Sequence, residues 1–307
     1  TWVGRYHAIK SDIRTIDFNP VVAYRVSPDL SVGGGMRIAY TRGVLSNAVD
    51  FGTLDVTQFS SAYGGTPGAN DGTATSEGDD IALGFNLGFL YQAMPATRVG
   101  MGYRSKLHTW LDGGADFNNG GSVGNSIASA SGAFRRSGIK AEINLPETLS
   151  AGIHHDISPR LAVMAEVAWT AWSRLEELRI KFDNTSQSDT VIVSKWNNSM
   201  FYSVGATYKA NERWTLRGGV AYDQTPVPDN TRTPRVPDED RYWISFGARY
   251  QISGNSFFDF GYTRLFFKEA TLSLSTSTDT NNQLRGNLRG HYDLSADVVA
   301  VQYRMSF

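Results

Sequence analysis

The chain has 307 residues, 29 basic and 30 acidic side chains, a formal net charge of −1 and no cysteine. The balanced charge leaves no nucleic-acid footprint, and the missing thiols exclude disulfide frameworks and thiolate metal sites. No apolar run reaches the roughly 18 residues of a membrane helix; the best candidate, LAVMAEVAWTAW, is shorter and is broken by Glu166.

The opening TWVGRYHAIKSDIRT lacks the apolar stretch of a secretory leader and reads as an internal start. From there strict alternation recurs, the period-two signature of strands. In LSVGGGMRIAYT, Leu30, Val32, Met36, Ile38 and Tyr40 oppose Ser31, Gly33, Gly35, Arg37 and Thr41. In DIALGFNLGFLYQ, Ile81, Leu83, Phe85, Leu87, Phe89 and Tyr91 oppose Ala82, Gly84, Asn86 and Gly88. WTLRGGVAYD and RYWISFGARYQI repeat the pattern. So does the tail ADVVAVQYRMSF, where Val299, Val301, Tyr303, Met305 and Phe307 oppose Ala300, Gln302, Arg304 and Ser306. Eleven strands follow, near 9–25, 30–46, 79–93, 97–111, 141–157, 160–182, 192–209, 213–224, 241–253, 256–274 and 291–307.

The connections alternate in length. RVSPDLS, QAMPATR, HDISPRL, KANERW and QISGNS are tight turns of Pro, Gly, Asn, Asp and Ser. The long connections are 47–78, 112–140, 183–191, 225–240 and 275–290. One trimmed and one elaborated end is the layout of an outer-membrane barrel, with short periplasmic turns and longer outer loops. Arg37, Arg104, Glu166, Arg217, Arg249 and Arg304 stand on the polar face, which a soluble sandwich would not bury. Tyr24, Tyr40, Tyr91, Tyr103, Trp169, Trp214, Tyr222, Tyr250 and Tyr303 mark strand ends on the apolar face, as interfacial girdles do. The chain therefore reads as all-β, a transmembrane antiparallel β-barrel in one domain, residues 1–307. An odd strand count implies at least one strand before Thr1, because single-chain bacterial barrels are even-numbered.

Three stretches resemble the FadL family, outer-membrane transporters of long-chain fatty acids and other hydrophobic compounds. They are NLPETLSAGIHHDISPRLAVMAEVAWTAWSRLEEL at 144–178, QTPVPDNTRTPRVPDEDRYWISFGARY at 224–250, and the opening WVGRY with NPVVAYRVSPDLSVGGGMRIAY. The resemblance implies a fourteen-stranded barrel plugged by an N-terminal hatch, with the hatch and first three strands lying before this sequence. It implies passive transport across the Gram-negative outer membrane: capture at outer loops, an internal pocket, and lateral release. On that plan Val49, Phe51, Leu54, Phe59, Phe117, Ile127 and Phe134 are candidate apolar contacts, although residue by residue packing within the loops is the better reading. Lys195 stands where the family holds a carboxylate head group, while its companion arginine is unmatched and falls at Asn47, with Arg42 nearby. That departure leaves fatty acid and neutral aromatic hydrocarbon both open.

Other chemistry reads more weakly. His154, His155 and Asp156 precede a turn, and no strained serine elbow accompanies them, so no enzyme is expected. Asp238, Glu239 and Asp240 could serve acid–base or metal work, but anchoring of the 225–240 loop by Arg232, Arg235 and Arg241 is the simpler reading. No cofactor is expected. Expected partners are a hydrophobic small molecule, outer-membrane lipid and lipopolysaccharide, and the barrel-insertion machinery acting through Phe307, with the protein a monomer. The alternatives are a diffusion pore for small polar solutes and a non-transport surface protein such as a phage receptor or adhesin.

Overall fold

The computed structural model describes residues 2–276 and 282–306. Phe307, the expected insertion signal, lies outside the described residues. The first stave of the sheet is β1 (Lys10–Phe18) followed by β2 (Val21–Arg25), interrupted at Asn19–Pro20. Then come β3 (Leu30–Asp50), α1 (Phe51–Gln58) and β4 (Asp71–Met94). The next two staves are also broken: β5 (Thr97–Arg104) with β6 (Leu107–Asn118), and, after α2 (Ser122–Ser131), β7 (Ser137–Leu145) with β8 (Thr148–Asp156). The sixth and seventh staves are broken as well: β9 (Leu161–Thr170) with β10 (Glu177–Phe182), and β11 (Thr190–Val193) with β12 (Ser199–Lys209). Four unbroken strands finish the sheet: β13 (Trp214–Asp223), β14 (Arg241–Ser253), β15 (Ser256–Phe267) and β18 (Ser295–Met305). A separate hairpin, β16 (Ala270–Leu274) with β17 (Leu288–Tyr292), stands on the outer side.

All neighbours pair antiparallel in chain order, so the sixteen-stranded sheet makes eleven staves among the described residues, as the alternation predicts. β1/β2 pairs only with β3, and β18 only with β15, within those residues. β3 and β4 run in one unslipped register from Leu30–Tyr91 to Asp50–Asp71.

Three of the short turns share one device. The Ser27 hydroxyl accepts from the Asp29 and Leu30 N–H groups, Ser158 from Arg160 and Leu161, and the Asn211 side chain from Arg213 and Trp214. Each side chain closes its own turn, which is why Ser and Asn stand there.

Val22, Tyr24, Val32, Met36, Ile81, Leu83, Leu87, Phe246, Val299 and Val301 are all exposed on one face. Such a continuous apolar surface suits lipid, not water. The opposite face carries Arg37, Asp17, Arg104, Arg217, Arg249 and Asp259 and looks inward.

Two expectations need correction. The strands are longer than the alternation shows: β3 continues to Asp50 and β4 begins at Asp71, so the connection is 51–70, not 47–78. Likewise β6 reaches Asn118 and β7 starts at Ser137. Above the lipid the outward positions Thr73, Thr75, Glu77 and Asp79 are polar, and Gly, Ala and Ser alternate with them, so the stretch reads as loop. The inner face is also not polar throughout. In the outer half, Leu111, Ala115, Ile139, Ala141, Ile143 and Ile180 form a buried inner-wall cluster, joined by Leu45, Leu145 and Phe182. Polarity thus inverts along the staves that carry β3, β6, β7 and β10, apolar outward within the lipid and apolar inward above it.

Candidate functional site

The outer loops build two short helices that pack on each other. Asp50 caps α1, its carboxylate accepting from the Thr53 N–H at 2.9 Å and the Thr53 hydroxyl at 2.6 Å. Asp55 is fully buried and accepts from the Tyr63 and Gly65 N–H groups, which folds residues 59–65 back over the helix. α2 ends at Gly132, whose φ of 74° is the left-handed cap that favours glycine. Gly124 lets α2 approach closely, since a Cβ there would lie 2.0 Å from the Asn119 carbonyl oxygen and 2.9 Å from the Phe51 ring.

All seven apolar candidates converge here. Phe51, Leu54, Val123 and Ile127 form the buried centre, with Val49, Phe59, Tyr63 and Phe134 packed against it. Phe51 meets Phe134 edge to face at 5.1 Å, and Phe134 meets Phe117 at 5.8 Å. Phe117 then reaches Phe182 at 6.1 Å, and both lie against the inner-wall cluster. Leu145 belongs to that cluster and also to the patch of Leu107, Ala39 and Ala82 further down the wall. One apolar path therefore runs from the loop helices to the middle of the inner wall. Its members at the top are shared between packing and surface: Phe51 and Ile127 are wholly buried, while Phe59, Tyr63 and Phe134 remain partly exposed.

The polar head-group candidates are not brought together. Arg42 is on the outward face with Met36, Ile38 and Tyr40 and pairs with Glu77, so it does not reach the interior. Its even spacing from Tyr40 dictates this. Asn47 has inward parity and donates its side-chain N–H to the Ala48 carbonyl at 2.9 Å. Lys195 sits in the link between β11 and β12 in a left-handed conformation, φ 45°, with its backbone N–H on the Glu176 carbonyl at 2.7 Å. Its side chain is exposed.

The 225–240 loop is anchored as its charges suggest, with one exception. Arg232 is 0% exposed and reaches Asp229, Glu239, the Asp238 carbonyl and the Thr271 carbonyl, so it ties the loop to the outer hairpin. Arg241 pairs with Asp238 at 2.6 Å and Asp223 at 2.7 Å. Asp240 accepts from Tyr222, the Thr225 N–H and Lys268. Burial alone would raise its pKa, but these donors outweigh it and hold the carboxyl below its usual range. Arg235 takes none of these carboxylates. It donates instead to the Lys10 and Ser46 carbonyls and the Ser11 hydroxyl, which clips the loop to the tops of β1 and β3. His7 makes a parallel clip through Nε2 to the Gly286 carbonyl at 3.1 Å.

Two further constellations on the inner wall were only half visible in the sequence. Asp17 accepts from Arg37 and from Arg104, and Asp259 accepts from Arg217 at 3.0 Å and Arg249 at 2.7 Å. Each sets two guanidiniums on one carboxylate. The arginines are evident from alternation, and counting across the Gly254–Asn255 turn would have found Asp259 opposite Arg249. His154 and His155 point to opposite faces, toward Arg98 and Thr97 respectively, and do not form a site. No group of three or more His, Asp or Glu side chains is placed to hold a metal among the described residues.

A lipid-faced antiparallel wall, elaborated on one side only and carrying an apolar inner path, defines an outer-membrane β-barrel transport protein. The family model described as outer membrane protein transport protein (OMPP1/FadL/TodX) matches residues 1–307, and the chain belongs to that family. Outer membrane protein P1 of Haemophilus influenzae is 30% identical over 312 residues, covering 92% of this chain and 64% of that protein. The long-chain fatty acid transport protein of Escherichia coli K12 is 29% identical over 284 residues, covering 85% and 62%. The chain thus spans a little under two thirds of the length of these relatives. The crystal structure of a Pseudomonas aeruginosa FadL homologue superposes with a TM-score of 0.88 at 26% identity, covering 99% of this chain and 70% of that one.

Proposed function

We propose that this chain forms the wall of a passive channel that carries hydrophobic small molecules across the outer membrane. The observation that supports this best is the apolar path from Phe51 and Ile127 through Phe134, Phe117 and Phe182 to Leu145 and Leu107. An apolar solute gains free energy whenever it trades water for such surface, about 25 cal/mol per Å². A chain of adjoining apolar patches lets it move inward without returning to water, and a concentration gradient supplies the direction. Partly exposed Phe59, Tyr63 and Phe134 are the capture point in this reading, and the inner wall at Leu145 and Leu107 is the first internal station. Release is lateral, into the membrane.

Long-chain fatty acids are the favoured cargo, because the relative from E. coli is a long-chain fatty acid transport protein. The wide separation of Arg42, Asn47 and Lys195 onto different faces and segments favours a loose hold on any carboxylate, which keeps aromatic hydrocarbons within range. The test is uptake by a deletion strain carrying the complete gene, comparing oleate with toluene. Uptake of at least one is expected, and failure on both overturns the reading.

A further inference from the structure

The apolar path of the inner wall ends against a charged cluster. Its last patch is Leu107 with Ala39 and Ala82. Asp17 lies directly opposite Ala39, and Arg37 stands two residues before Ala39 on the same face. Gly84 faces Arg37, and a Cβ there would lie 2.8 Å from the Leu107 side chain, so Leu107 lies over this glycine, beside the arginine. Further down, the inner positions are Gly35 opposite Asn86, and then Gly33, Gly88 and Gly102 in one row. A hydrophobic tail finds no apolar side chain to lie on there.

The break at Ser105–Lys106 sets Arg104 at this boundary. Along an unbroken strand, residues three apart point to opposite faces. Here Arg104 is inward, paired with Asn86, and Leu107 is inward too, so the break shifts parity as a bulge does. Ser105 fixes it. Its N–H donates to the Phe85 carbonyl at 2.9 Å, its hydroxyl accepts from the Phe85 N–H at 2.8 Å, and its carbonyl accepts from Arg37 at 2.9 Å.

The two arginines of the cluster are used differently. Arg37 is buried and spends its guanidinium on Asp17 Oδ2, through Nε and Nη2, and on the Ser105 carbonyl. The Arg104 side chain is 55% exposed and gives Asp17 a single bond, from Nη2. Its other N–H groups have no partner among the described residues. Asp17 Oδ1 is buried, so the interior meets a guanidinium and not a carboxylate. Two cations share one anion, which leaves the cluster with an excess of positive charge.

We propose that Arg104 receives the ionised head group of a long-chain carboxylic acid whose tail lies on the apolar path above it. This rests on the transport reading and names the internal station of that same path. Asp17 holds one edge of the guanidinium, which leaves N–H groups in a fixed fork for a second carboxylate. Leu107, Leu111 and Ala115 carry the tail along the inner face of β6, over about 27 Å at the usual strand rise. Thr109 between them is fully buried and turns its hydroxyl to the Ile143 carbonyl at 2.7 Å, so it presents no polar group to the tail. Lys195, exposed in the link between β11 and β12, then attracts the acid and Arg104 stops it.

The test uses the full-length protein in detergent and two photoreactive long-chain acids, one with a diazirine beside the carboxylate and one with it at the tail end. In wild type the head-end probe should label peptides around Arg37 and Arg104, and the tail-end probe peptides further along β6, from Leu111 to Phe117. Head-end labelling elsewhere, with none at Arg37 or Arg104, overturns the proposal without any variant. Affinities for oleate and for oleyl alcohol are then measured in wild type, R104Q and R104K. R104Q should weaken oleate on the order of tenfold and leave oleyl alcohol unchanged, because only the acid makes a charge-assisted bond. R104K should keep the preference for oleate. Equal loss of both ligands in R104Q marks Arg104 as structural and overturns the proposal, as does an unchanged oleate affinity. A wild type that binds neither ligand overturns the transport reading together with this one. A wild type that binds both, with R104Q indifferent, overturns only the role of Arg104.

Discussion

Phe117 and Phe134 meet edge to face, with ring centroids 5.8 Å apart, where the loop helices give way to the inner wall. This contact is the narrowest link of the apolar path, because Phe134 belongs to the helix cluster and Phe117 to the wall cluster. Aromatic pairs contribute about 0.5–1.5 kcal/mol beyond the area they bury. Phe117→Ala should therefore cost modest stability but interrupt the path, lowering oleate or toluene uptake several-fold while Phe117→Leu retains most of it. Thermal denaturation and uptake measured together decide the matter. Lost stability with unchanged uptake would reduce the cluster to loop packing.

Arg232 is the second point of leverage. Its guanidinium is wholly buried and joins Glu239 to the Thr271 carbonyl of the outer hairpin. Removing one partner of a buried pair costs about 3–5 kcal/mol, because the other charge stays behind. Arg232→Ala should loosen 225–240 and the β16–β17 hairpin together. Hydrogen exchange would show this as loss of protection in both segments, with the membrane strands unchanged. Protection lost in the loop alone would mean that Arg232 does not couple the two.

The clip between His7 and Gly286 gives a pH dependence. Burial pushes the His7 imidazole below its ordinary value; the Gly286 carbonyl opposes this, and the nearby Arg285 and Arg235 charges reinforce it. The folded state therefore favours neutral His7. A base with a depressed folded pKa stabilises fully above its unfolded pKa, about 6.5, and loses that contribution as pH falls below it. Proteolysis of the outer segments around His7 and Gly286 should rise between pH 6.5 and 5, and His7→Gln should flatten the profile. An identical profile in that variant would remove His7 as the cause.

The inner wall offers a test against a simple polar pore. Asp259 is shared by Arg217 and Arg249, so it holds two cations in place and masks part of their charge. Asp259→Asn should leave both guanidiniums uncompensated and shift ion selectivity toward anions in a planar bilayer. Large conductance already present in the wild type, with the same shift, would favour the polar-pore alternative.

The strands were legible because lipid enforces alternation at positions such as Ile81, Leu83, Phe85 and Leu87, with no need for a soluble core. Their upper ends were not. Residues 71–78 read as loop because Thr73, Thr75 and Glu77 face water, while Gly78 lies opposite Gly43 and leaves room for Leu111. The loop aromatics could be named from sequence, but their convergence could not. It depends on Asp55 and Gly124, which carry no pattern in one dimension and acquire meaning only when residues 59–65 and α2 fold back. Arg42 shows the opposite case. Its parity with Tyr40 was readable and places it outside, yet nearness along the chain suggested an inward role.

Under the proposed function, Lys195 is a residue that would discriminate between the cargoes. Its backbone is pinned by Glu176 and its neighbours by loop contacts: Thr231 donates to the Ser194 carbonyl at 2.6 Å, and the Asn197 N–H donates to the Pro226 carbonyl at 2.8 Å. Its exposed ammonium is thus presented from a fixed segment, without a carboxylate partner among the described residues. A cation so placed attracts an ionised head group and does nothing for toluene. Lys195→Ala should then lower oleate uptake several-fold and leave toluene uptake unchanged, while Lys195→Arg retains oleate. The left-handed backbone at this position costs an alanine and an arginine alike, so comparing those two variants separates charge from strain. Equal loss of both cargoes would mark Lys195 as structural, and indifference to the change would place head-group recognition elsewhere on the wall.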